Sequence, residues 1–224
     1  MSEADPLILL PGMGADARMF SSLRGELPQI VTPPWIEPRP RESLVDYARR
    51  FAPMIDPGRP FFIGGASLGG IMALEVAAVL PHVRACFVIG SIRSHNSRPW
   101  HVKILRPVTP LVGLVPRLSP VLVRLLGRWL RSPTRGVLIQ LADANPRFLR
   151  WASAAILKWK PSPETERVRV HQIHGDRDRV FPVHMTAADC VVSGAGHLIS
   201  ITHSDAVVEF LRQTMERIQT EESS

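Results

Sequence analysis

Ser67 lies in Gly65-Ala66-Ser67-Leu68-Gly69, a G-x-S-x-G pentapeptide, and a serine so placed can be made a nucleophile. A serine hydroxyl is a weak nucleophile until a base takes its proton, and the base is usually a histidine held in one tautomer by a carboxylate. The chain supplies both partners downstream, in the order serine, acid, histidine. His174-Gly175-Asp176-Arg177-Asp178 offers two carboxylates, Asp176 and Asp178. Gly194-Ala195-Gly196-His197 offers the histidine, with His203 as its nearest rival.

These groups need elements to aim them. The apolar run 60–64 before the pentapeptide predicts a strand, and the Ala- and Leu-rich run 70–80 after it predicts a helix. A sharp strand-to-helix turn pushes the central side chain out, and side chains at 65 and 69 would collide as the chain doubles back. Further buried strands are predicted at 6–10, 83–90, 168–174 and 188–193, with a weaker one opening at Ile30-Val31 before the proline-rich stretch 33–40. Asp16 can cap a helix through about Leu27, and Ser43 a helix whose Leu44, Tyr47, Ala48 and Phe51 share one face. A C-terminal helix is predicted from Ser204 to about Gln219. His171 and His174 alternate along a strand and read as structural. Strands alternating with helices imply a mostly parallel α/β sheet with ligands at the strand C-termini.

One segment breaks this rhythm. Residues 91–160 carry 13 Lys or Arg against one acid, Asp143, a net +12, whereas the rest carries 14 against 19 acids, a net −5. The segment is helical in texture, with an amphipathic stretch over 120–131. Four of the five tryptophans, Trp100, Trp129, Trp151 and Trp159, fall within it. The expected organisation is a core of 1–90 and 161–224 with a basic helical lid inserted at 91–160. An apolar inner face would offer Trp100, Leu126, Trp129 and Trp151 to a substrate. A basic outer face would offer Arg124, Arg128 and Arg131 to a partner.

At this point four motifs stand in order. Leu-Leu-Pro-Gly-Met-Gly at 9–14 resembles an oxyanion loop and Gly-Ala-Ser-Leu-Gly-Gly at 65–70 a nucleophile elbow. His-Gly-Asp-Arg-Asp-Arg-Val-Phe-Pro at 174–182 resembles an acid loop, and Gly-Ala-Gly-His at 194–197 a histidine loop. Together they resemble the α/β-hydrolase family, in a small, lid-bearing, soluble form compact enough to lack the usual leading antiparallel hairpin. The resemblance implies Ser67 as nucleophile, His197 as base and, from the acid's place three residues after the glycine, Asp178 over Asp176. It implies the backbone N–H groups of Met13 and Leu68 as oxyanion donors. Pro11 stands where a histidine is common, and the helix after Pro182 is expected to be short or absent.

The resemblance implies a serine esterase acting on hydrophobic or carrier-linked acyl esters, without cofactor or metal. Thioesterase, lactonase, peptidase and lyase chemistry share the scaffold. The basic segment adds an acidic acyl carrier protein as an expected partner. The competing expectation is a binding protein without catalysis, docking its basic lid on an acidic protein or membrane surface. Nucleic acid is disfavoured, because the tryptophans read as buried on helix faces. No apolar run is long enough to span a bilayer. An acidic start, Met1-Ser2-Glu3-Ala4-Asp5, and only two cysteines, Cys86 and Cys190, lead to the expectation of a cytoplasmic protein with free thiols.

Overall fold

The structure is a computed structural model describing residues 4–94, 136, 139–141 and 143–224. Strand β1, Leu7–Leu10, is apolar and buried throughout. Unbroken burial marks a strand covered on both faces, and the period of two then divides its side chains. Ile8 and Leu10 join one core, whereas Leu7 and Leu9 join the other. Strands β3, Phe61–Ala66, and β4, Val83–Ile89, divide in the same way. Phe61, Ile63, Cys86 and Val88 face the first core, and Phe62, Ala85, Phe87 and Ile89 the second.

With β2 (Ile30–Val31), β5 (Val170–Gly175) and β6 (Cys190–Val192), these strands form one sheet ordered β2-β1-β3-β4-β5-β6. Every pairing in it is parallel. Parallel neighbours need crossovers, so helices must cover both faces. The first core is closed by α2 (Leu44–Ile55), α3 (Leu68–Ala77) and α4 (Pro146–Lys158). The second is closed by α1 (Ser21–Glu26), a short α5 (Ile199–Thr202) and α6 (Ser204–Ser223).

Local chemistry fixes the ends of these helices. Ser43 caps α2, its Oγ accepting from Asp46 N–H at 3.1 Å, and Leu44, Tyr47, Ala48 and Phe51 are buried together as expected. Asn145 caps α4 through Oδ1, and Pro146 opens its first turn. Asp16 does cap, but only a 3-10 turn, Ala17–Phe20; Phe20 then leaves helical geometry (φ −108°, ψ 17°) before α1 starts. The last helix runs past Gln219 to Ser223. Ion pairs of Glu221 with Arg169 and of Glu222 with Arg84 tie that polar end to the sheet. Strand β6 is shorter than expected because its ladder ends where β5 ends at Gly175. After Pro182 there is only a 3-10 turn, Val183–Met185.

The expected amphipathic stretch 120–131 lies outside the described residues. Among the described residues no helix is long and apolar enough to cross a membrane.

Candidate active site

Ser67 is the single residue between β3 and α3, and its backbone is held at φ 54°, ψ −119°. That conformation costs a non-glycine residue roughly 1–3 kcal/mol and persists only where the surroundings enforce it. Here they do. Ser67 N–H donates to the Ile89 carbonyl at 3.1 Å, and Gly70 N–H donates to the Ser67 carbonyl at 3.0 Å. Ser91 Oγ donates to the same Ser67 carbonyl at 2.5 Å. A Cβ on Gly69 would overlap the Leu10 carbonyl, and one on Gly65 would overlap the Gly69 backbone. The glycines of the pentapeptide are therefore steric requirements of the turn.

The other ends of the site come from the loops after β5 and β6. Asp178 is 4% exposed, and four donors surround its carboxylate. Oδ1 accepts from Val180 N–H at 2.8 Å and Phe181 N–H at 2.9 Å. Oδ2 faces His197 Nδ1 at 2.8 Å and His174 Nε2 at 3.2 Å. Burial alone would push this carboxyl up; the bonds from His174, His197 and Phe181 win and hold it well below the usual carboxylate range. It is thus an anion at neutral pH.

His197 Nδ1 faces a carboxylate and so carries the proton. Nε2 is then free to accept, and it lies 2.9 Å from Ser67 Oγ. The Phe181 ring packs edge-on against the imidazole at 5.5 Å between centroids. A hydroxyl bonded to an imidazole, itself oriented by a buried carboxylate, can lose its proton to that imidazole as it attacks an acyl carbon.

The loop after β1 completes the surroundings. A Cβ built on Gly12 would lie 3.6 Å from Ser67 Cβ, so this loop runs beside the hydroxyl. Among the described residues, neither Met13 N–H nor Leu68 N–H, the two expected oxyanion donors, has an acceptor. Ser153 Oγ of α4 reaches Met13 Sδ at 3.3 Å and fastens the loop to that helix.

Three other expected residues lie among the described ones and make different contacts. Asp176 accepts from Gly194 N–H at 2.7 Å and ties the acid loop to the histidine loop, but it touches no histidine. His203 meets Thr202 Oγ1 at 2.9 Å. Trp151 stacks on Tyr47 at 4.5 Å and donates Nε1–H to the Glu42 carbonyl at 2.8 Å. Trp100, Leu126, Trp129, Arg124, Arg128 and Arg131 lie outside the described residues. Two contributors were not read as part of the site from the sequence. His174, expected as a structural strand residue, touches Asp178. Ser91 is fully buried against the elbow, its own carbonyl accepting from Gln172 Nε2 at 2.9 Å. The only sequence signal for either was position at the end of a predicted strand.

A doubly covered parallel sheet with a serine elbow, an acid loop and a histidine loop at its strand C-termini defines a class, and comparison bears it out. The description "Alpha/beta hydrolase family" matches residues 7–210, and the chain belongs to that family. Solved structures agree on the fold. A thermophilic esterase from Thermogutta terrifontis is similar at 16% identity, covering 97% of this chain and 92% of that one, with a TM-score of 0.74. MenH from S. aureus is similar at 14% identity over 98% and 96%, TM-score 0.73. The esterase EaEST from Exiguobacterium antarcticum is similar at 14% identity over 96% and 93%, TM-score 0.70. No curated protein sequence matches the chain.

Proposed function

We propose that this protein is a serine hydrolase that cleaves carboxylic esters of hydrophobic or carrier-linked acyl groups through a covalent acyl-enzyme. The observation that carries the reading is the unbroken line from Ser67 Oγ to His197 Nε2 at 2.9 Å and from His197 Nδ1 to Asp178 Oδ2 at 2.8 Å.

Ser67 Oγ attacks the acyl carbon as His197 Nε2 takes its proton. The carbonyl electron pair moves onto oxygen, which the Met13 and Leu68 N–H groups receive; a single such donor is worth roughly 3–4 kcal/mol in the transition state. Asp178 stays ionised and stabilises the imidazolium. As the intermediate collapses, His197 returns the proton to the leaving alcohol, and the acyl group remains on Ser67. Water then attacks the acyl-enzyme with His197 again as base, releasing the acid and restoring the serine.

The +12 charge of residues 91–160 supports a substrate carried by an acidic acyl carrier protein. A cytoplasmic location is supported by Cys86 and Cys190, which are both free thiols.

A series of p-nitrophenyl esters from acetate to laurate, given to wild type and Ser67→Ala, tests the reading. Hydrolysis that vanishes with the serine supports it. No hydrolysis at any chain length would instead support a binding protein on this scaffold.

A further inference from the structure

We propose that the groove between the 37–45 segment and α4 docks an acidic, amphipathic helical segment of a partner protein. The groove has a volume of about 1070 Å³ and is open to solvent. Sites for small ligands occupy about 300–1,000 Å³ and bury most of the ligand, which an open trough does not.

Both walls present cations. Arg147, Arg150 and Lys158 rise from α4 and Lys160 follows it, while Arg39 and Arg41 stand on the facing Pro38-Arg39-Pro40-Arg41 wall. All six are exposed. The two acids beside them are already engaged. Glu42 is held by Arg50 at 2.8 Å, and Glu37 by Asn145 Nδ2 at 2.8 Å. Arg41, Arg150, Lys158 and Lys160 have no ion-pair partner among the described residues. Arg41 is also held at φ 61°, one of two non-glycine residues with positive φ among the described residues, the other being Ser67. Backbone strain of this kind collects at functional positions.

The floor is apolar, formed by Leu44, Trp151 and Ala154. Positions 147, 150, 151, 154 and 158 follow helical spacing, so one stripe of α4 supplies cations, an indole and a small residue to the groove. From Arg147 to Lys158 that stripe spans roughly 17 Å at 1.5 Å per residue. A single phosphate or carboxylate cannot use charges spread so far, whereas a helix of three to four turns can. The partner it fits has acids along both edges of an apolar stripe. A flat bilayer would meet the rim before the floor, and the Trp151 face is already stacked on Tyr47 rather than open to a base.

The helix that lines the groove also touches the loop beside Ser67. The opposite side of α4 presents Leu149 to Gly14 and Ser153 to Met13. Docking would therefore press on the helix that fastens the oxyanion loop. This consequence rests on the hydrolase reading; the docking itself does not.

The test is fluorescence anisotropy with a fluorescein-labelled 15-residue helical peptide, leucines on one stripe and glutamates on both flanks. Control peptides replace leucine by glutamine or glutamate by lysine. The proteins are wild type, Ser67→Ala, Arg150→Glu/Lys158→Glu and, as a distant pair on α6, Arg212→Glu/Arg217→Glu, each checked for an unchanged melting midpoint. Expected are saturable binding of the acidic amphipathic peptide, a loss of about tenfold or more in the α4 pair, and retention in Ser67→Ala and in the α6 pair. Equal loss in both pairs, or equal binding of the leucine-free peptide, would reduce the effect to overall charge and overturn the proposal. So would failure of the peptide to bind while phosphatidylserine vesicles or single-stranded DNA capture the protein through Arg150 and Lys158. Retained ester hydrolysis without peptide binding would overturn docking alone, and binding without hydrolysis would overturn the catalytic reading alone.

Discussion

His174 and His197 converge on one atom, Oδ2 of Asp178, at 3.2 and 2.8 Å. His174 Nε2 also lies 2.7 Å from the Phe181 carbonyl, so both of its neighbours are acceptors and Nε2 carries the proton. Its Nδ1 is buried without a partner among the described residues. An orphaned buried nitrogen costs on the order of 1–3 kcal/mol, and here it accompanies a second donor to the acid. His174 thereby fixes where the carboxylate points, and the carboxylate fixes His197.

That relationship predicts a graded series at position 174. His174→Phe removes the donor at similar volume and should lower kcat by about ten- to a hundredfold with KM little changed, the size typical of lost supporting hydrogen bonds. His174→Gln can return an N–H to Asp178 and should recover part of that loss. Steady-state kinetics on p-nitrophenyl butyrate, beside melting curves, decide the matter. Equal loss in both variants, tracking stability, would leave His174 a packing residue only.

Asp178→Asn keeps the shape of the acid but not its charge, and the amide can hold His197 in the wrong tautomer. The expected drop in kcat is on the order of 10³- to 10⁴-fold. Asp176→Asn should act mildly, because Asp176 bonds the histidine loop through backbone N–H and touches no histidine. Comparable losses in the two variants would contradict the assignment.

The depressed pKa of Asp178 has a signed consequence for stability. Its value in the fold lies below its unfolded value near 3.9, so its contribution is fully present only above about pH 4.5, where the unfolded carboxyl is ionised too. It is lost as pH falls through the lower folded value. Urea unfolding of wild type minus Asp178→Asn should give a difference that is flat from pH 7 to about 4.5 and shrinks below. A difference already shrinking between pH 7 and 5 would contradict the donor set described around the carboxylate.

Two glycines should behave oppositely on substitution. Gly69→Ala drives a Cβ into the Leu10 carbonyl and should prevent folding or cost more than about 3 kcal/mol. Gly25 lies in α1 with nothing among the described residues within 4 Å of a built Cβ, so Gly25→Ala should stabilise by roughly 0.5–1 kcal/mol. Thermal unfolding of both variants is the measurement.

Much of this was legible from local pattern. The elbow announces itself because the glycines at 65 and 69 are steric necessities of one turn, whereas local pattern offers Asp176 and Asp178 alike and only the family resemblance favours Asp178. Buried strands declare themselves through continuous apolar runs, as in Leu7–Leu10. The relationships that escaped join distant segments. Trp151 meets Tyr47 and the Glu42 carbonyl because α4 packs on α2, a pairing across 109 residues that no local period carries. His174 reaches Asp178 only because the chain turns sharply after β5, and spacing along a predicted strand gives no hint of that. The end of α6 depends on ion pairs from Arg84 and Arg169, which a falling hydrophobic period conceals.

Burial pushes the Cys86 thiol up to about 12, whereas Cys190 is half-buried on the edge strand. The native protein should therefore release at most one equivalent of thionitrobenzoate from Ellman's reagent near pH 8, and two once unfolded. Two fast equivalents from the native state would mean that the β4 core is open.

The most direct measurement of the central claim is a covalent one. Wild type treated with a fluorophosphonate should gain one adduct by intact mass, and peptide mapping should place it on Ser67. Asp178→Asn should label far more slowly and Ser67→Ala not at all. An adduct on another residue, or none in a folded wild-type protein, would contradict the account that Ser67 is an activated nucleophile.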